Sequence, residues 1–377
     1  MIYLDHAANT PVFPEVLNAM LPWLQPSQVG NPGSIHTQGV KARKAIDEAR
    51  QQVAKMLNAH PSEIFFTSGG TESNNAWLKC FSGDLVLTTE LEHDSVLEPL
   101  ANSPWIATQF VRVNSDGSVD LHSLEYSLQH TRNTGRAVSI MWVNNELGTV
   151  NDMKRIGELC RQYHSFLHTD AVQAAGHVPI DVKECNIDAL SISGHKLGAP
   201  LGVGVLYLNS SVHKNPLIAG GGQERGVRGG TENVPGIVGM GKAAEIVTER
   251  SLTWQMEWAE LRDRFITRVS SLLSDKTRVN GPKSNYFSNI ISLTIPGVNS
   301  EALLLMLDQR GICLSAGSAC SAASSKPSHV LKGIGMSDED AACTVRISMG
   351  YSTTEKEMSD TAYAIAECAT QLLGMYP

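Results

Sequence analysis

Three things are missing from this 377-residue sequence. No cationic stretch leads into an apolar one: the chain starts MIYLDHAANTPVFPEV, unlike a secretory leader, and no apolar run approaches the ~18 residues that cross a bilayer. No basic run or cationic face is present either, and a formal charge of −8 argues against an electrostatic grip on nucleic acid or anionic lipid. Finally, the seven cysteines, at positions 80, 160, 185, 313, 320, 343 and 368, are odd in number, and no pair has the C-x-x-C spacing of a zinc or thioredoxin site. Repeats and low-complexity tracts are absent as well. These gaps leave a protein expected to stay in a reducing cytoplasm, with small molecules and proteins as partners and no direct nucleic-acid or membrane role. No metal site is expected.

What is present is a globular composition. With 42% hydrophobic and 18% charged residues, the chain is too apolar for disorder and too long for one small core, so two domains are expected. Short apolar runs rich in β-branched residues alternate with helical stretches: EIFFTS then TESNNAWLKC, DLVLTTE then DSVLEPLANS, AVSIMWVNN then KRIGELCRQYH, followed by SFLHTDAVQ and DALSISG. That alternation predicts βαβ units around a mainly parallel sheet, an α/β fold. GVGVLYL reads as a hairpin partner. After the glycine-rich AGGGQERGVRGGTEN a long polar helix is predicted, roughly Ile246 to Ser274, and then strands SNIISLTI and TVRISMG with two terminal helices. The domain boundary is expected near residue 250: residues 14–250 form a large domain, and residues 1–13 pack with 251–377 as a smaller α+β domain. Cys80, Cys160 and Cys368 lie in helical patterns as small buried hydrophobes.

Ligands of open α/β sheets bind beyond the carboxyl ends of the strands, and the residues there carry the chemistry. FFTSGGTESNNAW runs strand, Ser-Gly-Gly, Thr71, then helix with Glu72 in its first turn. The free N–H groups and dipole of that turn suit a phosphate, although a capped helix after a glycine turn is also ordinary. In SISGHKLGAP, Lys196 follows a strand and a Ser-Gly pair, a setting that desolvates an ammonium as imine formation requires, or else a solvated turn. In LHTDAVQ, Asp170 ends a strand and Gln173 lies three residues on. A carboxylate there would hold a pyridinium nitrogen protonated; at about 4 Å and an effective dielectric near 20 the pair is worth ~4 kcal/mol, enough to make the ring an electron sink. His93 in TTELEHDSV follows another strand, either to stack on a ring or as a satisfied histidine.

Together these residues resemble a known family, the pyridoxal-phosphate cysteine desulfurases of the NifS and IscS type within the class-V aminotransferase-like enzymes. The resemblance runs through YLDHAANTPV, GNPGSIHTQG, FTSGGTESNN, EHDSVL, VNNELGTV, HTDAVQ, SGHKLGAP, GGGQERGVRGGTEN, SAGSACSAAS and VRISMGYSTTEKE, nearly the whole chain. It implies fold type I, with pyridoxal 5'-phosphate as cofactor and Lys196 as its Schiff-base lysine. By resemblance Thr71, Ser193 and His195 hold the phosphate, with Gly70 in the same turn. Asp170 pairs with the ring nitrogen, Gln173 with the ring oxygen, and His93 stacks on the ring. Thr231 in RGGTEN reaches the phosphate of a neighbouring subunit, so a homodimer is implied.

The implied substrate is L-cysteine. Arg346 in TVRISMG is the candidate to hold its carboxylate, with Asn145 assisting; Lys196 moves the Cα proton, with His93 as a second acid or base. Cys320 then attacks the substrate sulfur, leaving a persulfide that passes to a sulfur-acceptor protein, and alanine departs. The run LSAGSACSAASS around Cys320 fits that role, because a thiol that must collect and carry sulfur needs a tether of small residues. At an ordinary pKa of about 8.5 only a few per cent is thiolate at neutral pH, a handicap of just ~2 kcal/mol.

Two departures from the family pattern stand out. Leu201 in GAPLGVG replaces a lysine common in relatives, and the sequence ends at QLLGMYP without the extended tail with which IscS-type members dock the iron–sulfur scaffold. The acceptor is therefore open between iron–sulfur assembly, tRNA thiolation, DNA phosphorothioation through partner proteins, and another carrier. A selenocysteine lyase or aminotransferase of the same fold, in which Cys320 would be dispensable, is the rival enzyme. A catalytically silent sulfur-relay protein is the rival outside enzymes.

Overall fold

The computed structural model describes residues 1–131, 135–273, 277–284, 286–317 and 327–375. The chain opens with strand β1 (Ile2–Tyr3) and helices α1 (Pro14–Met20) and α2 (Thr37–Leu57). The predicted alternation follows as β2 (Ile64–Thr67), α3 (Gly70–Cys80), β3 (Leu85–Thr88) and α4 (Asp94–Ala101), then β4 (Ala107–Phe110) and α5 (Leu121–His130), which the sequence reading does not name, and β5 (Arg136–Ser139) and α6 (Met153–Gln162). Then come β6 (Phe166–Asp170), β7 (Ala189–Ser193) and β8 (Gly204–Leu208). Seven strands form one sheet in the order β2-β8-β7-β6-β5-β3-β4. β4, β3, β5, β6 and β7 run parallel; β8 is reversed, as the hairpin reading expects, and β2, antiparallel to β8, points the same way as β7.

Central strands β5 to β8 are buried on both faces, the arrangement that parallel sheets covered by helices require. Their polar residues pair with each other. His168 Nδ1 meets Ser139 Oγ at 2.8 Å, His168 Nε2 meets Ser191 Oγ at 3.2 Å, and Trp77 stacks on the His168 ring 4.3 Å away. Burial holds this imidazole well below its ordinary pKa, so it stays neutral and satisfied.

Helix α7 (Val234–Leu273) is longer than the sequence suggests and runs unbroken past residue 250. Its first half, VPGIVGMGKAAEIV, has three glycines and a poor helical signal, yet it packs lengthwise on α2 with Ile237, Met240, Ala243, Ala244 and Val247 buried. Tertiary burial overrides weak propensity there. Beyond α7 come β9 (Arg278–Asn280), β10 (Ile290–Thr294), α8 (Ser300–Asp308), β11 (Ile312–Cys313), α9 (His329–Gly333), α10 (Asp338–Ala342), β12 (Thr344–Ser348) and α11 (Glu355–Met375). β9, β10 and β12 form an antiparallel sheet in the order β12-β10-β9; β9, β11 and the short helices α9 and α10 are additional to the sequence reading, and among the described residues one helix, α11, follows β12 where two terminal helices are expected. β1 pairs in parallel with β11, and Asp5 bridges to Ser348, so the first residues join the last third of the chain. Cys80, Cys160 and Cys368 are buried within α3, α6 and α11.

Candidate active site

The strands that point the same way deliver their carboxyl ends to one edge, and a cavity of about 450 Å³ opens there. Ten of the residues singled out in the sequence line it: Gly70, Thr71, His93, Asn145, Asp170, Gln173, Ser193, His195, Lys196 and Arg346. Thr231 does not; it is exposed on the glycine-rich loop before α7. Cys320 lies outside the described residues.

On the β2 and β7 side, α3 starts at Gly70 with its first-turn N–H groups facing the cavity edge. A Cβ at Gly70 would lie 2.7 Å from Val172 Cγ2 and 3.6 Å from Ser193 Cβ, so only glycine lets this turn sit so close to the strand ends. Ser193 Oγ lies 2.9 Å from His195 Nδ1. Burial first, and the adjacent Lys196 charge second, pull His195 down to about 4, which keeps the ring neutral. Glu72 would set a negative charge beside any anion here, but Arg228 Nε meets its Oε1 at 3.1 Å while its Oε2 accepts from Ser68 N at 2.8 Å.

Lys196 Nζ donates to the carbonyls of Ala7 and Ala8, both at 2.6 Å. Its own carbonyl accepts from Thr10 Oγ1 at 3.1 Å and pairs with His177 Nε2 at 3.2 Å. Opposite, Asp170 is buried at the end of β6. Asn74 Nδ2 donates to its Oδ2 at 2.7 Å and Val172 N to its Oδ1 at 2.9 Å, so the carboxylate is fixed in orientation. Gln173 Nε2 holds the Ala7 carbonyl at 2.8 Å.

His93 is the N-cap of α4. Its Nδ1 accepts from Ser95 N at 3.0 Å and lies 2.8 Å from Ser95 Oγ, an assignment that leaves Nε2 to carry the proton of the neutral ring. Arg346, on β12, is 2% exposed. One arm of its fork donates to Asn145 O at 3.0 Å and the other to Asp5 Oδ1 at 2.9 Å, while its buried Nε has no hydrogen-bond partner among the described residues.

Several residues of this site are not evident in the sequence. Asn74 pins Asp170, Ser95 ties Asn74 to His93, Asp5 steadies Arg346, and His177 reaches the backbone of Lys196. A signal exists for Asn74 alone: it falls on the buried face of α3 with Ser73, Ala76, Trp77 and Cys80, where an amide needs a reason.

The donor set fits a phosphorylated pyridine aldehyde. A helix N-terminus, the Ser193 hydroxyl and a neutral His195 could take an anion, the pinned Asp170 carboxylate could pair with a ring nitrogen, and Lys196 offers an amine in the same cavity. The buried Asn74 Oδ1, without a partner among the described residues, sits behind that carboxylate.

The comparisons agree with this geometry. Residues 2–360 match the family described as aminotransferase class-V. The cysteine desulfurase IscS of Dictyoglomus turgidum is 41% identical over 384 aligned residues, spanning all of this chain and 96% of that protein. A solved structure of a NifS-like protein superposes with a TM-score of 0.90 at 33% identity, over 98% of this chain and 99% of that one. Another, SspA in complex with cysteine, gives 0.78 at 35% identity, over 93% and 99%. Fold, cavity and family match together define a fold type I, pyridoxal-phosphate-dependent enzyme of the class-V aminotransferases. Within that class, the chain belongs to the cysteine desulfurase family.

Proposed function

We propose that the enzyme transfers the sulfur of L-cysteine to Cys320, releases L-alanine, and passes the sulfur from Cys320 to an acceptor protein. One observation carries this reading: Lys196, the pinned Asp170 and Arg346 line a single cavity with His93 and Asn145. A solved relative, SspA, holds cysteine, which supports the same substrate here.

When bound, pyridoxal 5'-phosphate supplies an electron sink that weakens bonds at the substrate Cα and beyond. Gly70, Thr71, Ser193 and His195 would hold its phosphate, Asp170 would keep the ring nitrogen protonated, and Gln173 would pair with the ring oxygen. Arg346, relinquishing Asp5 or sharing its fork, takes the substrate carboxylate beside Asn145. Lys196 Nζ would move the Cα proton, and His93, through Nε2, would serve as the second acid or base. Cys320, as a thiolate, attacks the substrate sulfur; the sulfur–sulfur bond forms as the carbon–sulfur bond breaks, and the electron pair left on carbon takes up a proton as alanine forms.

Residues 14–250 are read as the cofactor-holding domain and residues 1–13 with 251–377 as the one carrying Cys320, a division supported by the β1–β11 pairing. A homodimer is supported by the exposed Thr231 outside its own cavity and by exposed Leu17, Leu21, Leu24 and Ile35 near the N-terminus; light scattering measures it. A cytoplasmic site of action, with iron–sulfur assembly among the acceptor pathways, completes the proposal; the six described cysteines are free thiols. No helix among the described residues is long and apolar enough to cross a membrane.

Cys320→Ser tests the reading. The variant is expected to keep the cofactor absorbance and its change on adding L-cysteine, yet to release no sulfide; alanine formed at the wild-type rate would instead point to a lyase that does not use this thiol. Transamination of common keto acids would point to an aminotransferase.

A further inference from the structure

Glu146 is 2% exposed, in the loop after β5, and it has no part in the chemistry described above. Its Oε2 accepts from Ser328 Oγ at 2.6 Å, and its Oε1 is buried without a hydrogen-bond partner among the described residues. The same Oε2 lies against Gly317: a Cβ built there would be 3.1 Å from it and 3.5 Å from Ser328 Cβ. Gly317 has φ of 69°, left-handed backbone that favours glycine. Gly317 and Ser328 therefore meet at one carboxylate, and between them in sequence lies Cys320.

Each stem is also tied to the cavity wall. Ser315 Oγ donates to Gly317 O at 3.3 Å, and the Ser315 backbone pairs both ways with Arg346, at 3.2 and 2.6 Å. On the other side Ser328 caps α9, accepting from Leu331 N at 3.2 Å, and His329 Nε2 lies 3.0 Å from the carbonyl of Glu92, the neighbour of His93. Glu146 itself follows Asn145, whose carbonyl holds Arg346.

We propose that Glu146 is a positioning residue for sulfur transfer: by fastening Gly317 and Ser328 to one point beside Arg346, it fixes the origin from which Cys320 reaches the substrate sulfur. Cys320 is three residues from Gly317 in sequence, at most about 11 Å of extended chain, so the point at which Gly317 is held bounds where the thiol can be. A root displaced by about 1 Å costs up to about a hundredfold in rate when it misplaces a reacting atom. Glu146 would act through Ser328, whose hydroxyl it holds, and through its packing on Gly317; it is not among the residues that line the cavity.

This inference rests on Cys320 being the sulfur-accepting thiol, and the test separates the two. The full-length enzyme loaded with pyridoxal 5'-phosphate is compared with Glu146→Ala and Glu146→Gln. Three quantities are read: the half-saturating L-cysteine for the cofactor absorbance change, the single-turnover rate of persulfide formation on Cys320 by alkylation and mass spectrometry, and the rate at which iodoacetamide labels Cys320 without substrate. Glu146→Ala is expected to leave the half-saturation within about twofold, to slow persulfide formation at least about tenfold, and to change the labelling rate. Glu146→Gln, which keeps an oxygen for Ser328, is expected to recover most of the lost rate. Where Glu146→Ala does not fold, Gly317→Ala, which presses a methyl group on the carboxylate, is expected to give the same pattern. Persulfide forming at the wild-type rate in the folded variant, or a loss of L-cysteine binding that matches the loss of rate, overturns the role of Glu146 alone. Absence of any persulfide on Cys320 in the wild-type enzyme overturns the proposed function with it.

Discussion

The floor and the far wall of the cavity are built in opposite ways. The floor comes from turns at the ends of neighbouring strands: Asp170 ends β6, Ser193 ends β7, and Gly70 begins the helix after β2. Its hydrogen bonds are multiple and its carboxylate cannot turn. The wall comes from segments that meet only in the folded chain, with Arg346 on β12, Asp5 after β1 and Asn145 after β5. The floor is rigid and local; the wall is a convergence held by one guanidinium. A cofactor that stays for many turnovers suits the first, and a substrate that must enter and leave suits the second.

Substitutions can sharpen or break that contrast, beginning on the floor. Lys196→Ala is expected to remove sulfide release by about 10⁴-fold or more and to change the visible absorbance of the purified enzyme; residual turnover above a hundredth of wild type would remove Lys196 from its role. Asp170→Asn loses the ring-nitrogen pair, whose ceiling of ~4 kcal/mol is about a thousandfold. Because Asn74 and Val172 then face an amide they cannot both satisfy, steady-state kinetics should show lower kcat with cofactor still bound. On the wall, Arg346→Lys keeps the charge and loses the fork, so KM for L-cysteine should rise about tenfold to a hundredfold with a smaller change in kcat. A kcat effect larger than the KM effect would count against the wall as substrate clamp.

Acid should strain the two regions together. Burial holds His6 and His177, and burial with the Lys196 charge holds His195, each at about 4. With folded values below the ordinary 6.5, their contribution is complete above ~6.5 and is lost as pH falls toward ~4, at most ~3 kcal/mol for the buried His6 and His177 and less for the part-exposed His195, where solvent screens the charge. Buried Glu92 opposes them: its pKa is raised well above the usual value by burial, so its contribution is greatest in acid and fades as pH rises. Burial also holds His168 well below its ordinary value and raises the Asp188 carboxyl, so four rings against two carboxyls predict a lower urea midpoint at pH 5 than at pH 7.5, and a shallower slope in His177→Gln; equal midpoints would contradict it. The smallest effect is expected from Arg228→Ala, which leaves the Glu72 charge uncompensated beside the phosphate turn and should weaken cofactor affinity about fivefold.

What could be read from sequence follows the same divide. Asp170 and Lys196 announce themselves because each is a charged residue directly after an apolar run, and strand ends are where α/β sheets keep their chemistry. Arg346 sits inside a buried strand, where only the family motif gave it a role, and Asp5 and Glu146 give no local signal because their partners are far away in the chain. The alternation that predicts six of the seven strands of the large sheet is equally local; β4, half-exposed at its edge, carries no such signal. The first half of α7 escapes notice since its glycines and valines become helical by lying on α2, a contact that no window of the sequence contains.

The Asp5–Arg346 bond joins residues 341 positions apart. A ribosome adding about 5–20 residues per second therefore finishes every strand of the large sheet long before the arginine that completes the wall has left the exit tunnel. A half-made copy can shape the floor early, but the part of the wall proposed to grip an amino acid is still missing. On that proposal, sulfur chemistry waits until Arg346 has been added and folded against Asp5.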